Sequence, residues 1–105
     1  MNFSEEEKNA VVWSMLALAE CDGSKTIDEL KKITKFSKSI GFDPATSLKI
    51  VNNLQEVDVF ATLRSCSSEK KAFIKENLEE LAAVDGEINH LEKNALSNIT
   101  LWGKF

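Results

Sequence analysis

The sequence predicts an all-α fold, a compact six-helix single domain that covers residues 1–105. Three observations carry this prediction. Apolar residues recur every three to four positions, as they do on one face of a helix. Tyrosine is absent and valine and threonine are few, so an extended sheet is disfavoured. The chain also repeats itself, which indicates two pseudo-symmetric copies of one helix–loop–helix unit.

The repeat emerges when the chain is shifted by 63 residues, so that residues 4–36 align with residues 67–99 without a gap. Seven aligned pairs are identical, namely Ser4/Ser67, Glu6/Glu69, Lys8/Lys71, Ala19/Ala82, Asp22/Asp85, Gly23/Gly86 and Glu29/Glu92. Apolar positions also agree, as at Val11/Ile74, Met15/Leu78, Leu18/Leu81 and Ile33/Leu96. The repeat units therefore span about residues 4–40 and 67–103.

Local signals mark where the helices of each unit begin and end. Ser4 and Ser67 fit N-caps, because a serine hydroxyl can accept from the exposed amides of the first helical turn. Each first helix then reaches an Asp-Gly pair, where glycine can adopt the positive φ that ends a helix. Thr26 and Asn89 follow, and each has a glutamate three residues later, which is capping-box spacing. The second helices are predicted at about Ile27 to Ile40 and His90 to Trp102.

Two further helices are predicted between the units. Gly41 stops a helix, and Asp43-Pro44 starts another, because aspartate can cap it and proline suits the first helical position. That helix runs to about Asn53. The apolar spacing from Val57 to Leu63 predicts one more short helix.

Composition excludes several classes of function. The net charge of −4 would repel a phosphate backbone, so no nucleic-acid partner is expected. The two cysteines, Cys21 and Cys66, show no C-x-x-C spacing. No apolar run is long enough to span a bilayer, and the acidic amino terminus is unlike a signal peptide. A cytoplasmic location is therefore the expectation, without a membrane span.

The segment LAAVDGEINHLEKNAL in the second unit, with LALAECDGSKTIDELKKI in the first, resembles the TerB-like (tellurite resistance) family. The shared core is Ala-x-x-Asp-Gly with a glutamate seven residues after the aspartate. This resemblance implies a helical domain whose units pack about a pseudo-twofold axis and bring their Asp-Gly loops together. It also implies a non-catalytic module of a tellurite or other stress-response system, with an acidic surface that binds a divalent cation or a protein partner.

Carried over residue by residue, the resemblance assigns Asp22, Glu29, Asp85 and Glu92 as metal ligands. Four carboxylates would suit Ca²⁺ or Mg²⁺, and Zn²⁺ is a further candidate. An EF-hand calcium loop is disfavoured, because its first ligand position would be Leu18 or Leu81. The alternative role is structural, with the glutamates closing capping boxes and the aspartates shaping turns.

Two tryptophans suggest a second class of function. Trp13 falls off the main apolar stripe of its helix, and Trp102 lies in the apolar carboxyl-terminal tail. An apolar surface around them would make the chain a protein-interaction or dimerisation domain, with a homodimer as one form of that interaction. Packing of Trp13 against the central helices is the alternative. The only histidine, His90, has no marked nucleophile or orienting carboxylate, so no enzyme activity is expected.

Overall fold

A computed structural model describes residues 2–21, 27–83 and 90–105. These residues form six α-helices and no strand, which confirms the predicted fold class. In chain order the helices are α1 (Glu5–Glu20), α2 (Ile27–Ser39), α3 (Pro44–Asn52), α4 (Glu56–Arg64), α5 (Ser68–Ala82) and α6 (His90–Gly103). The predicted bounds of α2, α3, α4 and α6 and the predicted starts of α1 and α5 agree with these to within one residue. Helices α1 and α5 end two to three residues before the Asp-Gly pairs at which the sequence placed their ends.

The predicted caps of the first helices and of α3 are present. Ser4 Oγ accepts from the Glu7 amide at 3.1 Å, and the Glu7 carboxylate accepts from the Ser4 amide at 2.8 Å. Ser67 Oγ accepts from the Lys70 amide at 3.2 Å. Asp43 caps α3 by accepting from the Ala45 amide at 3.0 Å. The Asp-Gly turns and the capping residues Thr26 and Asn89 lie outside the described residues.

Helix α1 is the centre of the fold. It packs against each of the other five helices, and it is accordingly apolar on more than one face. Its fully buried side chains include Val11, Val12, Met15 and Leu18. The core continues into α4 and α5, where Leu63 and the α5 residues Ile74, Leu78 and Leu81 are also fully buried.

The helices around α1 fall into two groups. Helix α5 packs against α1, α2 and α6, while α3 packs against α1, and α4 against α1 and α6. Helices α3 and α4 thus add to the cover that α2, α5 and α6 give to α1. None of the helices within the described ranges is both long enough and apolar enough to cross a bilayer.

Candidate functional site

The structure describes two of the four predicted metal ligands. Glu29 and Glu92 lie in the first turns of α2 and α6 and are 3% and 5% exposed. A carboxylate at this position is stabilised by the positive end of the helix dipole. Neither side chain is without a partner. Asp22 and Asp85 lie outside the described residues.

The two glutamates occupy matching positions in the repeat and are buried to a similar degree. Within residues 2–21, 27–83 and 90–105, no three side chains of His, Cys, Asp or Glu form a group that could hold a metal ion. Two of the four predicted ligands are not among those residues. The predicted metal site therefore stays a prediction that binding measurements can test.

The two predicted partner-binding tryptophans lie on one surface. The ring of Trp13 contacts Phe60 edge-on with centroids 5.9 Å apart, and Phe60 contacts Trp102 edge-on at 5.4 Å. Such edge-to-face contacts are the favoured geometry of aromatic pairs. Phe60 is buried between the two indoles and joins them. The sequence prediction missed Phe60, whose apolar position in the short helix was its only signal.

We call the face formed by Trp13, Val57, Phe60 and Trp102 the aromatic surface. Trp13 is half-buried against Phe60 of α4, which agrees with its predicted packing on the central helices. Trp102 is 43% exposed and Val57 is 69% exposed. The aromatic surface thus presents Trp102 and Val57 to solvent, while the buried Phe60 ring at its centre packs against both tryptophans.

Two shallow depressions shape the aromatic surface. One, of about 170 Å³, lies where Trp13, Phe60 and Trp102 meet Ala17 and Ala95. The other, of about 360 Å³, has Glu56 and Arg64 of α4 at its sides. Arg64 also donates to the main-chain oxygen of Trp102 at 3.4 Å. An apolar patch with one acidic and one basic neighbour can bury a side chain and pair charges at the same time.

A polar cluster joins the first helices of the two units. The Glu7 carboxylate accepts from Lys70 Nζ at 2.9 Å and from the Cys66 thiol at 3.4 Å, besides the Ser4 amide. Partial desolvation alone would raise the pKa of Glu7, but these hydrogen bonds outweigh it and lower the pKa from 4.5 to about 2.

The same cluster makes Cys66 a poor nucleophile. Burial raises the pKa of the Cys66 thiol to about 11, and the neighbouring Glu7 carboxylate adds to the rise. Lys70 also lies over the ring of Phe3, 5.5 Å from its centroid. The cluster therefore joins the starts of α1 and α5 through an ion pair and a cation–π contact. It also keeps the Cys66 thiol protonated at neutral pH.

Comparison with known proteins adds no relative. No protein-family model, curated protein or solved structure matches this chain. The resemblance to the TerB-like family stays a prediction that rests on the two Asp-Gly segments.

Proposed function

We propose that this chain is a non-catalytic protein-interaction module that self-associates through the aromatic surface. The observation that carries the proposal is the row of Trp13, Phe60 and Trp102, in which Trp102 stays 43% exposed. Partly exposed tryptophan beside exposed aliphatic residues is typical of the anchors of protein interfaces. Association would remove Trp102 and Val57 from water.

The charges beside the aromatic surface suit a second copy of the same chain. A twofold dimer places one patch against itself, so the patch has to be self-complementary. Glu56 and Arg64 lie four residues before and four residues after Phe60 on α4. If α4 helices pack antiparallel with the axis near Phe60, Glu56 of each copy faces Arg64 of the other. Two ion pairs would then flank the buried aromatic centre.

The size of the surface sets the expected strength. Stable interfaces bury about 800 Å² on each partner, whereas the aromatic surface comprises a few large side chains. We therefore expect a reversible dimer with a dissociation constant in the micromolar range. A truncated central tryptophan in such an interface commonly costs about 2 kcal/mol, which is roughly thirtyfold in the dissociation constant.

Sedimentation equilibrium tests this proposal directly. Trp102→Ala should weaken dimerisation roughly thirtyfold, while Ile27→Ala, which shortens a side chain 72% exposed on α2, should leave it unchanged. Both tryptophans of the chain lie on the aromatic surface, so their fluorescence should shift to the blue with concentration. A protein that stays monomeric at millimolar concentration would refute self-association.

Charge exchange tests the orientation of the helices. Glu56→Arg alone and Arg64→Glu alone should each weaken the dimer, because like charges then meet across the axis. The double variant restores opposite charges, so it should recover most of the affinity. A double variant weaker than both single variants would contradict the antiparallel pairing of α4.

We propose a second function for the acidic Asp-Gly loops, the binding of a divalent cation as the TerB-like resemblance implies. The observation that favours it is the matching burial of Glu29 and Glu92 at the start of α2 and α6. Buried carboxylates at equivalent sites of two units would supply hard oxygen ligands from both sides of a shared site. In a stress-response setting, this site would bind the ion or present it to a protein partner.

Calorimetric titration of metal-stripped protein with Ca²⁺, Mg²⁺ and Zn²⁺ tests the cation proposal. Saturable heat should be lost in the Asp22→Asn, Asp85→Asn double variant. Asp28→Asn is the matched control, because Asp28 is exposed in the first turn of α2 beside Glu29. Absence of heat with every ion, or heat that survives in the double variant, would rule out the predicted ligand set.

A further inference from the structure

A groove of about 500 Å³ lies beside the aromatic surface, between α1, α2 and α3. Its apolar lining comes from all three helices, with Trp13, Leu16 and Ala17 from α1, Leu30 from α2, and Leu48 and Val51 from α3. Leu30 and Leu48 are 43% and 39% exposed. The groove is thus an apolar recess that the described residues leave open to solvent.

The second unit shows which residues an uncovered surface carries at the equivalent positions. There, α5 and α6 have only exposed, charged side chains, in the repeat pairs Trp13/Glu76, Leu16/Glu79, Ala17/Glu80 and Leu30/Lys93. The outer face of a surface helix is normally charged or polar. Apolar residues at the same four positions of the first unit therefore indicate a surface that another molecule covers.

One of these differences also changes a contact between the units. Glu80 of α5 forms an ion pair with Lys32 of α2. The repeat equivalents of this pair are Ala17 and Ala95, which line the smaller depression of the aromatic surface. Two small apolar side chains thus stand where the equivalent contact has two charges, and they leave room beside the tryptophans.

The groove is continuous with the aromatic surface. Trp13 and Ala17 line both the groove and the depression where Phe60 meets Trp102. The aromatic surface alone comprises a few side chains, far fewer than the roughly 20–30 residues that each side of a stable interface contributes. The leucines of the groove extend the apolar area that a second copy could cover.

We propose that the groove receives Trp102 from a second copy of this chain. The inference rests on the proposed self-association through the aromatic surface. A twofold dimer places one patch against itself, so each protruding side chain has to meet a recess of the same patch. Trp102 is the largest exposed side chain of the aromatic surface, and the groove is the recess next to it.

The row of rings fits this exchange. Phe60 lies between Trp13 and Trp102, with centroid distances of 5.9 and 5.4 Å. A twofold axis at Phe60 that exchanges the two ends of the row places Trp102 of one copy over Trp13 of the other, at the edge of the groove. Asn52 and Glu20 also line the groove. Their side-chain oxygens can accept from the indole N–H, which usually has an acceptor when it is buried.

Glutamate variants of α3 test the groove by sedimentation equilibrium. Leu48→Glu should weaken dimerisation about tenfold, because the incoming indole would have to desolvate a carboxylate. Ile50→Glu is the matched control, since it makes the same change on the same helix at a side chain that is 53% exposed and does not line the groove. It should alter the dissociation constant less than about twofold. Leu30→Glu on α2 should act as Leu48→Glu does, so the test does not depend on the folding of one variant.

A mixture of two variants tests which part of the second copy enters the groove. A Trp102→Ala chain retains its groove, and a Leu48→Glu chain retains its Trp102 ring. Each variant homodimer has lost both contacts between Trp102 and the groove, whereas the mixed dimer retains one. The mixed dimer should therefore be tighter than either homodimer, after allowance for the statistical preference for mixed pairs. If the two residues act at separate places, its dissociation constant should lie between those of the homodimers.

The outcomes separate this inference from self-association itself. A dimer that Trp102→Ala weakens, but that both groove variants leave intact, would overturn the groove contact while the dimer stands. A mixed dimer of intermediate affinity would overturn it in the same way. A chain that stays monomeric at millimolar concentration would overturn both proposals, and a different protein would then have to cover the groove.

Discussion

The first helices of the two units, α1 and α5, share a sequence pattern but differ in what covers them. Both bury the same four repeat positions, Val11/Ile74, Met15/Leu78, Leu18/Leu81 and Ala19/Ala82. Helix α1 buries four residues more, Asn9, Ala10, Val12 and Ser14. At those positions α5 has Ala72, Phe73, Lys75 and Asn77. Helix α1 therefore buries more of its surface than α5, and it is α1 against which both central helices pack.

This difference connects the fold to its candidate sites. The central helices α3 and α4 both pack on α1, and α4 supplies Val57 and Phe60 to the aromatic surface. Two copies of the unit, without the central helices, would bury one apolar stripe on α1 and one on α5. Helices α3 and α4, which have no counterpart in the repeat, add a further buried face to α1.

The junction between the units shows a second difference at one repeat position. Glu7 and Lys70 are equivalent in the repeat, yet they carry opposite charges and form an ion pair. Glu7 contacts Cys66, and Lys70 contacts Phe3, the residue equivalent to Cys66. Contacts exchanged in this way are what the predicted twofold relation between the units would produce. Opposite charges at this repeat position attract each other, whereas identical residues there would place two like charges together.

The largest effect is expected when residues are exchanged between the two first helices. Val12 is 2% exposed in α1, whereas its equivalent Lys75 is exposed in α5. Val12→Lys would bury an unpaired charge and should lower the free energy of unfolding by about 3–5 kcal/mol. Urea denaturation measures this change in the free energy of unfolding. The reverse change, Lys75→Val, should stay within about 0.5 kcal/mol; equal effects would mean that α1 is no better covered than α5.

The ion pair at the junction should give a medium effect that depends on pH. The pKa of Glu7 is lowered to about 2 from 4.5, so its carboxylate binds protons less readily in the folded protein. Its stabilisation is then complete above pH 4.5 and is lost as the pH falls towards 2. We expect a loss of roughly 1 to 2 kcal/mol. Glu7→Gln should remove that part of the acid sensitivity.

Urea denaturation at pH 7, pH 4 and pH 2.5 measures this dependence. The control is Glu69→Gln, which removes an exposed carboxylate from the first turn of α5. It should leave the acid-induced loss almost as large as in the unaltered protein. If Glu7→Gln and Glu69→Gln change the pH dependence of the free energy of unfolding equally, the Glu7–Lys70 ion pair is not the source of the acid-induced loss.

The sequence was sufficient where structure depends on near neighbours. Serine caps and the Asp43-Pro44 start predicted helix bounds to within one residue, since capping needs only the next few amides. The place of Phe60 between two tryptophans was not predictable, because it depends on how α4 lies across α1 and α6. Burial of Asn9 depends on the same packing. Both follow from tertiary contacts that have no local sequence signal.

The smallest effect is expected at the two serine caps, and here the units differ for a reason already visible at the junction. Ser4 takes part in two reciprocal hydrogen bonds with Glu7, whereas at Ser67 the hydroxyl accepts from the Lys70 amide and the Lys70 side chain gives no bond in return. Lysine has no acceptor, so the second unit cannot close a capping box at this position. Ser4→Ala should therefore cost about 1.5 kcal/mol and Ser67→Ala about 0.5–1 kcal/mol.

Thermal unfolding followed by circular dichroism separates the two serine variants. With Ser67 unaltered, Lys70→Glu should add the missing acceptor to the second unit. It also places two carboxylates, at positions 7 and 70, side by side at the junction. The capping gain should be outweighed by repulsion between Glu7 and the new charge. A net stabilisation would instead show that position 70 matters mainly as a cap, and that the ion pair contributes little to holding the two units together.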